Sequence, residues 1–239
     1  MKTKKNFLFG LIGAGALILS GSVGFAAWTI KNTIASKDDS TLHISADAIV
    51  NDESLQLTED ECKWTDSIVQ FKPVEKTGLS YSWLSASDPA KTDDLTAIYQ
   101  IKGKASASAK ITIQATFDDL TQASKEKDVK SYQDLTTLGT NSEQTPGKGI
   151  VGALPSPTIT DGAGGAVTNS ITADENGNFS ASVSVTFSWG AAFGGKNPYE
   201  YYNSKPYKYD LATEAKTNIE YLAYLPKCSF KLTVNVTVA

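Results

Sequence analysis

Residues 190–196 read Gly-Ala-Ala-Phe-Gly-Gly-Lys, which has the spacing of a nucleotide-binding P-loop. In a P-loop, backbone amides and the lysine hold phosphate groups, a buried strand precedes them, and a Ser or Thr and a helix follow. Here Asn197 and Pro198 follow the lysine, and Asn-Pro disfavours helical geometry at the Asn. We therefore expect a glycine corner at the end of a strand, no bound nucleotide, and no binding role for Lys196.

The remaining residues that could support catalysis are sparse. His43 is the only histidine and all 22 basic residues are lysine, which excludes an HExxH zinc site and leaves a Ser-His-Asp triad possible only through His43. The pattern around His43 predicts a strand position that faces solvent. With a net charge of −4 and no arginine, we expect no nucleic-acid partner.

Acidic residues leave two possibilities open. The stretch 172–178 contains Asp174, Glu175 and the dipeptide Asn176-Gly177, but its spacing is that of a hairpin turn and not of a calcium loop. Acidic neighbours at 59–61, 93–94 and 118–119 could bind calcium weakly. A pair of carboxylates for glycoside hydrolysis depends on a spatial separation that sequence does not show. We expect no cofactor, and a secreted hydrolase is the least favoured hypothesis.

Cys62 and Cys228 are the only cysteines, and they lie near the two ends of the chain that follows residue 40. In an exported protein, a disulfide between them would tie the ends of the domain together. The alternative is a pair of buried thiols.

A tyrosine-rich segment follows the glycine corner. Tyr199, Tyr201, Tyr202 and Tyr207 lie within nine residues, and exposed rings of this kind can stack on sugars or dock a protein partner. The alternative is that these rings cover a helix at 211–225 and cap one end of the fold. The first possibility would make the protein a surface adhesin or a glycan-binding module.

The amino terminus has the features of an export signal. Three lysines within residues 2–5 precede an uncharged run at 7–30, and small residues near its end suit a peptidase that cuts between Ala26 and Ala27. We expect a signal peptide at 1–26, recognition by a signal peptidase, and a secreted or cell-surface protein. An uncleaved membrane anchor is the alternative.

The elements that position these residues are mostly strands. Period-2 alternation of apolar and polar residues is strongest at 229–239 and is clear at 109–117 and 178–189. Shorter candidates lie at 41–50, 53–59, 66–72, 79–85 and 95–103. The pattern predicts a mainly β fold at 41–239, a single antiparallel, jelly-roll-like β-sandwich with one or two helices in its connections.

Two segments have helical character. Residues 118–135 are polar and free of Gly and Pro, which predicts one or two short surface helices. Asp210 is placed to cap a second helix that Pro226 ends. The apolar residues of this second helix share one face: Leu211, Ala215, Ile219 and Leu222.

The segment 21–48 resembles the amino-terminal region of the TasA/camelysin family of exported Gram-positive proteins, which a SipW-type signal peptidase processes. The similar elements are Ala26-Ala27-Trp28, Ser36-Lys37-Asp38 and the stretch 40–46, Ser-Thr-Leu-His-Ile-Ser-Ala. Thr29 and Ile30 depart from the family pattern, which has an acidic or amide residue after the aromatic. The resemblance implies a jelly-roll subunit of an extracellular fibre or biofilm matrix.

After cleavage, residues 27–40 would form an extended arm. Its apolar residues Trp28, Ile30 and Ile34 recur at even spacing, so the arm could add as a strand to the open sheet edge of a neighbour. An arm that packs on its own domain or is disordered is the alternative. We expect a non-enzymatic matrix protein that associates with itself, or with other surface proteins, by strand addition.

Overall fold

The computed structural model describes residues 28–34, 42–65, 71, 95–121, 130–143, 148–168, 170–206 and 208–239. For residues 28–34, Tyr199 and Asn203 it describes the backbone alone. The predicted signal peptide at 1–26, its cleavage site at Ala26 and Ala27, and Tyr207 lie outside the described residues. Among the described helices, none has the length and apolar character needed to cross a bilayer.

The described strands form two β-sheets. The strands are β1 Trp28–Ile34, β2 His43–Val50, β3 Gln56–Leu57, β4 Lys63–Trp64, β5 Thr96–Lys104, β6 Lys110–Asp119, β7 Thr158–Asp161, β8 Ile171–Thr172, β9 Asn178–Thr186 and β10 Ser229–Val238. The first sheet has the order β1-β2-β10-β6-β8, and the second has the order β3-β5-β9-β7 with β4 also paired to β5. The mainly β, two-sheet fold is thus confirmed, and the jelly-roll arrangement stays a prediction.

Alternation along each strand builds the core. In β2, β5, β9 and β10 every second side chain is buried, because successive residues of a strand point to opposite faces and one face of each sheet meets the other sheet. The pairing of β2 with β10 is parallel, and each of the other described strand pairs is antiparallel. The prediction of a wholly antiparallel fold is therefore wrong at this one pair.

Aromatic rings connect the two sheets at one end of the core. Phe187 follows β9 and lies edge-to-face against Phe117 of β6 and Phe230 of β10, with ring centroids 5.8 Å and 5.3 Å away. Phe187 also contacts Phe71 and Tyr132 in the same geometry. Edge-to-face packing places the positive edge of one ring against the negative face of another, so each pair adds to the apolar burial.

The helices differ in extent from the prediction. The described helices are α1 Tyr132–Leu135, α2 Pro198–Asn203 and α3 Tyr209–Glu220, with 3₁₀ segments at Glu59–Glu61, Ala191–Phe193 and Tyr221–Lys227. Asp118 and Asp119, which we expected in a helix, end β6 because they continue its pairing with β10. Ser131 begins α1 with a capping box to Asp134.

Helix α3 confirms the predicted apolar face but not the predicted cap. Leu211, Ala215, Ile219 and the following Leu222 are all buried. The N-cap is Lys208, whose side chain makes no capping bond, and Asp210 lies in the first turn. A carboxylate there still interacts favourably with the amino-terminal end of the helix.

Replacement of Phe187 by Ala should cost about 3–5 kcal/mol of unfolding free energy, because it removes a fully buried ring and leaves a cavity between the sheets. Chemical denaturation would measure the loss. Gln114→Ala is the control, since Gln114 is exposed on β6 and should change stability by less than about 0.5 kcal/mol. Equal effects of the two variants would contradict the role given to Phe187.

Candidate functional site

The amino-terminal strand β1 lies at one edge of the first sheet. It pairs antiparallel with β2 from Trp28↔Val50 to Ile34↔Ile44, and it also approaches β4 of the second sheet. The predicted arm therefore forms a strand on its own domain in this structure, which was the alternative to a free arm. We define the β2 edge as the side of residues 43–50 that β1 covers.

The register of β1 matches the two faces of β2. Residues Ile44, Ala46, Ala48 and Val50 of β2 are buried at 2% exposure or less. The apolar arm residues occupy the positions opposite three of them: Ile34 opposite Ile44, Ile30 opposite Ala48, and Trp28 opposite Val50. A slip by one residue would exchange the two faces of β1, so this pattern specifies the register.

The outward row of β2 carries a charge that the sequence analysis did not single out. Asp47 Oδ2 lies 2.7 Å from Lys231 Nζ of β10, and the Asp47 side chain is only 13% exposed. On its other side Asp47 is directly opposite Lys31 of β1. The ion pair of Asp47 with Lys231 could not be predicted from the local sequence, because it depends on the parallel pairing of β2 with β10, which joins residues far apart in the chain.

The P-loop-like stretch has no amides arranged for phosphate. The amides of residues 190 and 192–196 all donate to backbone carbonyl oxygens. Gly194 and Gly195 adopt φ values of 60° and 74°, a conformation that favours glycine. Lys196 Nζ lies 2.7 Å from Glu200 Oε1. The glycine corner is thus confirmed, and Lys196, which precedes α2, makes an exposed ion pair with Glu200 of that helix.

Two of the four residues of the possible aromatic binding patch are buried, which agrees with the alternative that the rings have a structural role. Tyr201 and Tyr202 are 4% and 0% exposed, and their rings pack edge-to-face with centroids 4.9 Å apart. They are buried because α2 places them against the core, where Tyr202 also contacts Phe193. The side chain of Tyr199 and the whole of Tyr207 lie outside what the structure describes.

A polar cluster holds the buried Tyr202 in place. Asn218 of α3 is fully buried, and its Nδ2 donates to the Tyr202 hydroxyl at 3.0 Å and to Thr140 O at 2.7 Å. Its Oδ1 accepts a hydrogen bond from Thr140 N. Burial raises the pKa of Tyr202 well above its ordinary value. The cluster joins α2, α3 and the loop around Thr140, so its role is structural.

The two cysteines are not joined by a disulfide, which makes that prediction wrong. Cys62 donates to Lys102 O, and Lys102 pairs with Ser180 near the start of β9. Cys228 lies beside Phe230, which contacts Phe187 just after the end of β9.

The length of β9 therefore separates the cysteines by roughly 20 Å, whereas bridged cysteines need Cα atoms within about 7 Å. Both thiols are buried. Burial raises the pKa of Cys62 above its ordinary value and the pKa of Cys228 to about 12.

The other residues with possible chemistry lie apart from one another. His43 is exposed at the start of β2, as predicted. Asp174 accepts from the amides of Asn176 and Asn178, and the Asn178 side chain lowers its pKa. Gly177 has φ 79°, so the predicted turn is present, but it connects β8 of the first sheet to β9 of the second and does not form a hairpin. Within the described ranges, no three His, Cys, Asp or Glu side chains converge as metal ligands.

Comparison with known proteins does not assign the chain to a family: no family model, curated protein or solved structure matches it. The candidate site is the β1–β2 pairing. It combines the first described strand, an observed register and a charged position at the edge of a sheet.

Unfolded without reductant, the protein should react with two equivalents of a thiol alkylating reagent, because the two buried thiols become accessible. In the folded state at pH 8 it should react with none, since a buried thiol with a raised pKa forms little thiolate. Intact mass measures both states. Absence of labelling after unfolding would indicate a disulfide and contradict the structure.

Replacement of Tyr202 by Phe should lower the unfolding free energy by about 1 kcal/mol, because it removes the hydroxyl that accepts from Asn218. Chemical denaturation is the measurement. The matched control is Tyr209→Phe, since Tyr209 is 77% exposed and should show almost no change. If the two variants behaved alike, the buried cluster would not have the structural role described.

Proposed function

We propose that the protein is an exported, non-enzymatic subunit of the cell surface or extracellular matrix, and that it assembles into fibres by exchange of β1 between copies. In the assembled form, β1 of one copy pairs with the β2 edge of the next. The observation that carries the proposal is the position of β1: it is the first described strand, at a sheet edge, in a register that places three apolar residues opposite buried residues of β2.

Exchange of an edge strand replaces backbone hydrogen bonds within one copy by the same bonds between two copies. A strand at the edge of a sheet pairs on one side only, so it leaves by giving up a single set of backbone hydrogen bonds. The same bonds form when the strand enters the equivalent edge of another copy. The difference in free energy between the closed monomer and the assembled form is therefore small, and protein concentration shifts the balance.

The connection between β1 and β2 is long enough to be compatible with exchange. The seven residues 35–41 separate Ile34 from Leu42, and an extended chain of that length spans roughly 25 Å. This reach allows β1 to leave its own sheet while the core of its domain stays intact. Head-to-tail repetition of the same contact gives an open fibre.

Sequence features support export and a matrix role. The basic and apolar segment at 1–26 is typical of a signal peptide. With cleavage between Ala26 and Ala27, Trp28, the first residue of β1, becomes the second residue of the mature chain. The resemblance of residues 21–48 to the TasA/camelysin family favours a fibre or biofilm matrix.

The glycan-binding alternative has less support. It requires an exposed tyrosine surface, and burial removes Tyr201 and Tyr202 from any such surface. Strand exchange needs none of the tyrosines and uses residues that already pair in the closed form.

Cysteines at the opposed positions Thr33 and Ser45 would test the exchange in the mature chain. When the double variant Thr33→Cys/Ser45→Cys is oxidised as a dilute monomer, it should form an internal disulfide, because directly opposed residues have the required separation. The oxidised monomer should then no longer assemble. When the double variant is assembled first and then oxidised, it should give a ladder of covalent oligomers on a denaturing gel.

Two controls define the result. Thr33→Cys alone should give at most covalent dimers, and deletion of residues 27–38 should leave a folded monomer that forms no fibres by electron microscopy. A fibre that yields only monomers after oxidation, or an arm-deleted chain that polymerises normally, would disprove strand exchange.

A further inference from the structure

Four residues of alternating charge lie across the outer face of the first sheet, one on each of four neighbouring strands. From the edge inward they are Lys31 of β1, Asp47 of β2, Lys231 of β10 and Asp118 of β6. Lys31 is directly opposite Asp47, Asp47 Oδ2 lies 2.7 Å from Lys231 Nζ, and Lys231 is directly opposite Asp118. We call these four residues the charge row.

Of the charge row, only the register pair Lys31↔Asp47 joins β1 to the rest of the sheet. The other two outward positions of β1 between its ends are Thr29 and Thr33, which lie opposite Ile49 and Ser45. A shift of β1 by two residues would keep its faces but would place a threonine opposite Asp47. The charge at Lys31 therefore distinguishes the observed register from the nearest registers that keep the apolar face inward.

Departure of β1 changes the β2 edge in a defined way. Asp47 keeps Lys231 on one side and loses its basic neighbour on the other, so the edge presents one partly buried carboxylate. An incoming strand with an acidic residue opposite Asp47 would be repelled by the Asp47 carboxylate. A strand with a neutral residue there would leave Asp47 without an opposite charge on that side. Opposed charges of this kind contribute modestly to affinity and mainly to the choice of partner and register.

We propose that the charge row selects the strand that enters the β2 edge: the edge accepts β1 of a second copy, in the register seen in the closed form, because Lys31 completes the row at Asp47. The inference rests on the proposed function, since it names what the exchanging edge recognises. The partner is a second copy of this chain, and the selective contact is the pair formed by Lys31 of one copy and Asp47 of the next.

The closed monomer and the fibre contain the same pair, so a single charge reversal weakens both forms alike. Lys31→Glu places two acidic residues opposite each other, and Asp47→Lys places two basic residues opposite each other, within a copy as well as between identical copies. An equimolar mixture of the two variants is different. Each β1 is mismatched with its own β2 edge and matched with the edge of the other variant.

The experiment measures the lowest protein concentration that gives sedimentable fibres. The mixture of Lys31→Glu and Asp47→Lys should assemble at about tenfold lower concentration than either variant alone. It should also assemble at lower concentration than the unaltered chain, in which a matched internal strand competes. Fibres from the mixture should contain the two variants in equal amounts by mass spectrometry.

A matched control uses the two members of the charge row that stay within one copy. A mixture of Lys231→Glu and Asp118→Lys carries the same charge reversals, but mixing cannot relieve a mismatch that lies inside each copy. It should assemble no better than its components. If Asp47→Lys does not fold beside Lys231, then Asp47→Asn replaces it, and its mixture with Lys31→Glu should still show a gain in the same direction.

The outcomes separate this inference from the proposed function. If the unaltered chain forms fibres by exchange but the variant mixture shows no gain over its components, the charge row does not select the strand, and strand exchange stands. If the mixture of Lys231→Glu and Asp118→Lys gains as much, the effect is not specific to the exchanging pair. If neither the unaltered chain nor any mixture assembles, both proposals are disproved.

Discussion

The relative position of the two sheets depends on the aromatic contacts of Phe187. Its ring touches Phe117 and Phe230 in the first sheet, and Tyr132 of α1 packs against the same group. Because the rings interlock edge-to-face, a change in the angle or distance between the sheets would separate several contacts at once. This rigidity keeps β10, and with it β2, in a defined place, while β1 has β2 as its one partner among the described strands.

The order of strands follows from that arrangement and bears directly on function. The last strand, β10, lies in the middle of the first sheet between β2 and β6. Its parallel pairing with β2 leaves the other side of β2 for β1, at the edge. Among the described strands of this sheet, β1 therefore pairs with β2 alone, which is the physical basis of the proposed exchange between copies. The same parallel pair brings Lys231 to Asp47 and so creates the charge row.

Local patterns in the sequence predicted most of the elements. The alternation at 229–239, the turn at Asn176-Gly177 and the apolar face of α3 each depend on neighbours a few residues apart, and all three are confirmed. The hairpin expected around that turn is wrong, because β8 and β9 pair in different sheets. The glycine corner was also predictable, because Asn197-Pro198 constrains the backbone directly. Strand lengths were harder to predict: the segment expected at 53–59 pairs only at Gln56–Leu57, since β5 ends at Lys104 on one side and the chain enters the 3₁₀ segment Glu59–Glu61 on the other.

The predictions that the structure corrects depend on contacts between residues that are far apart in the chain. Tyrosine is compatible with both an exposed patch and a buried cluster, and the position of α2 over the core decided that Tyr201 and Tyr202 are buried. Cys62 and Cys228 are far apart because Cys62 lies beside Lys102 of β5, whereas Cys228 precedes β10 near the aromatic contacts at the other end of the core. The sequence by itself determined the alternation, the turns and the apolar arm, since these depend on residue type and short spacing. Only the tertiary structure decided the parallel contact of β2 with β10, the edge position of β1 and the charge row, because each depends on which distant strands share backbone hydrogen bonds.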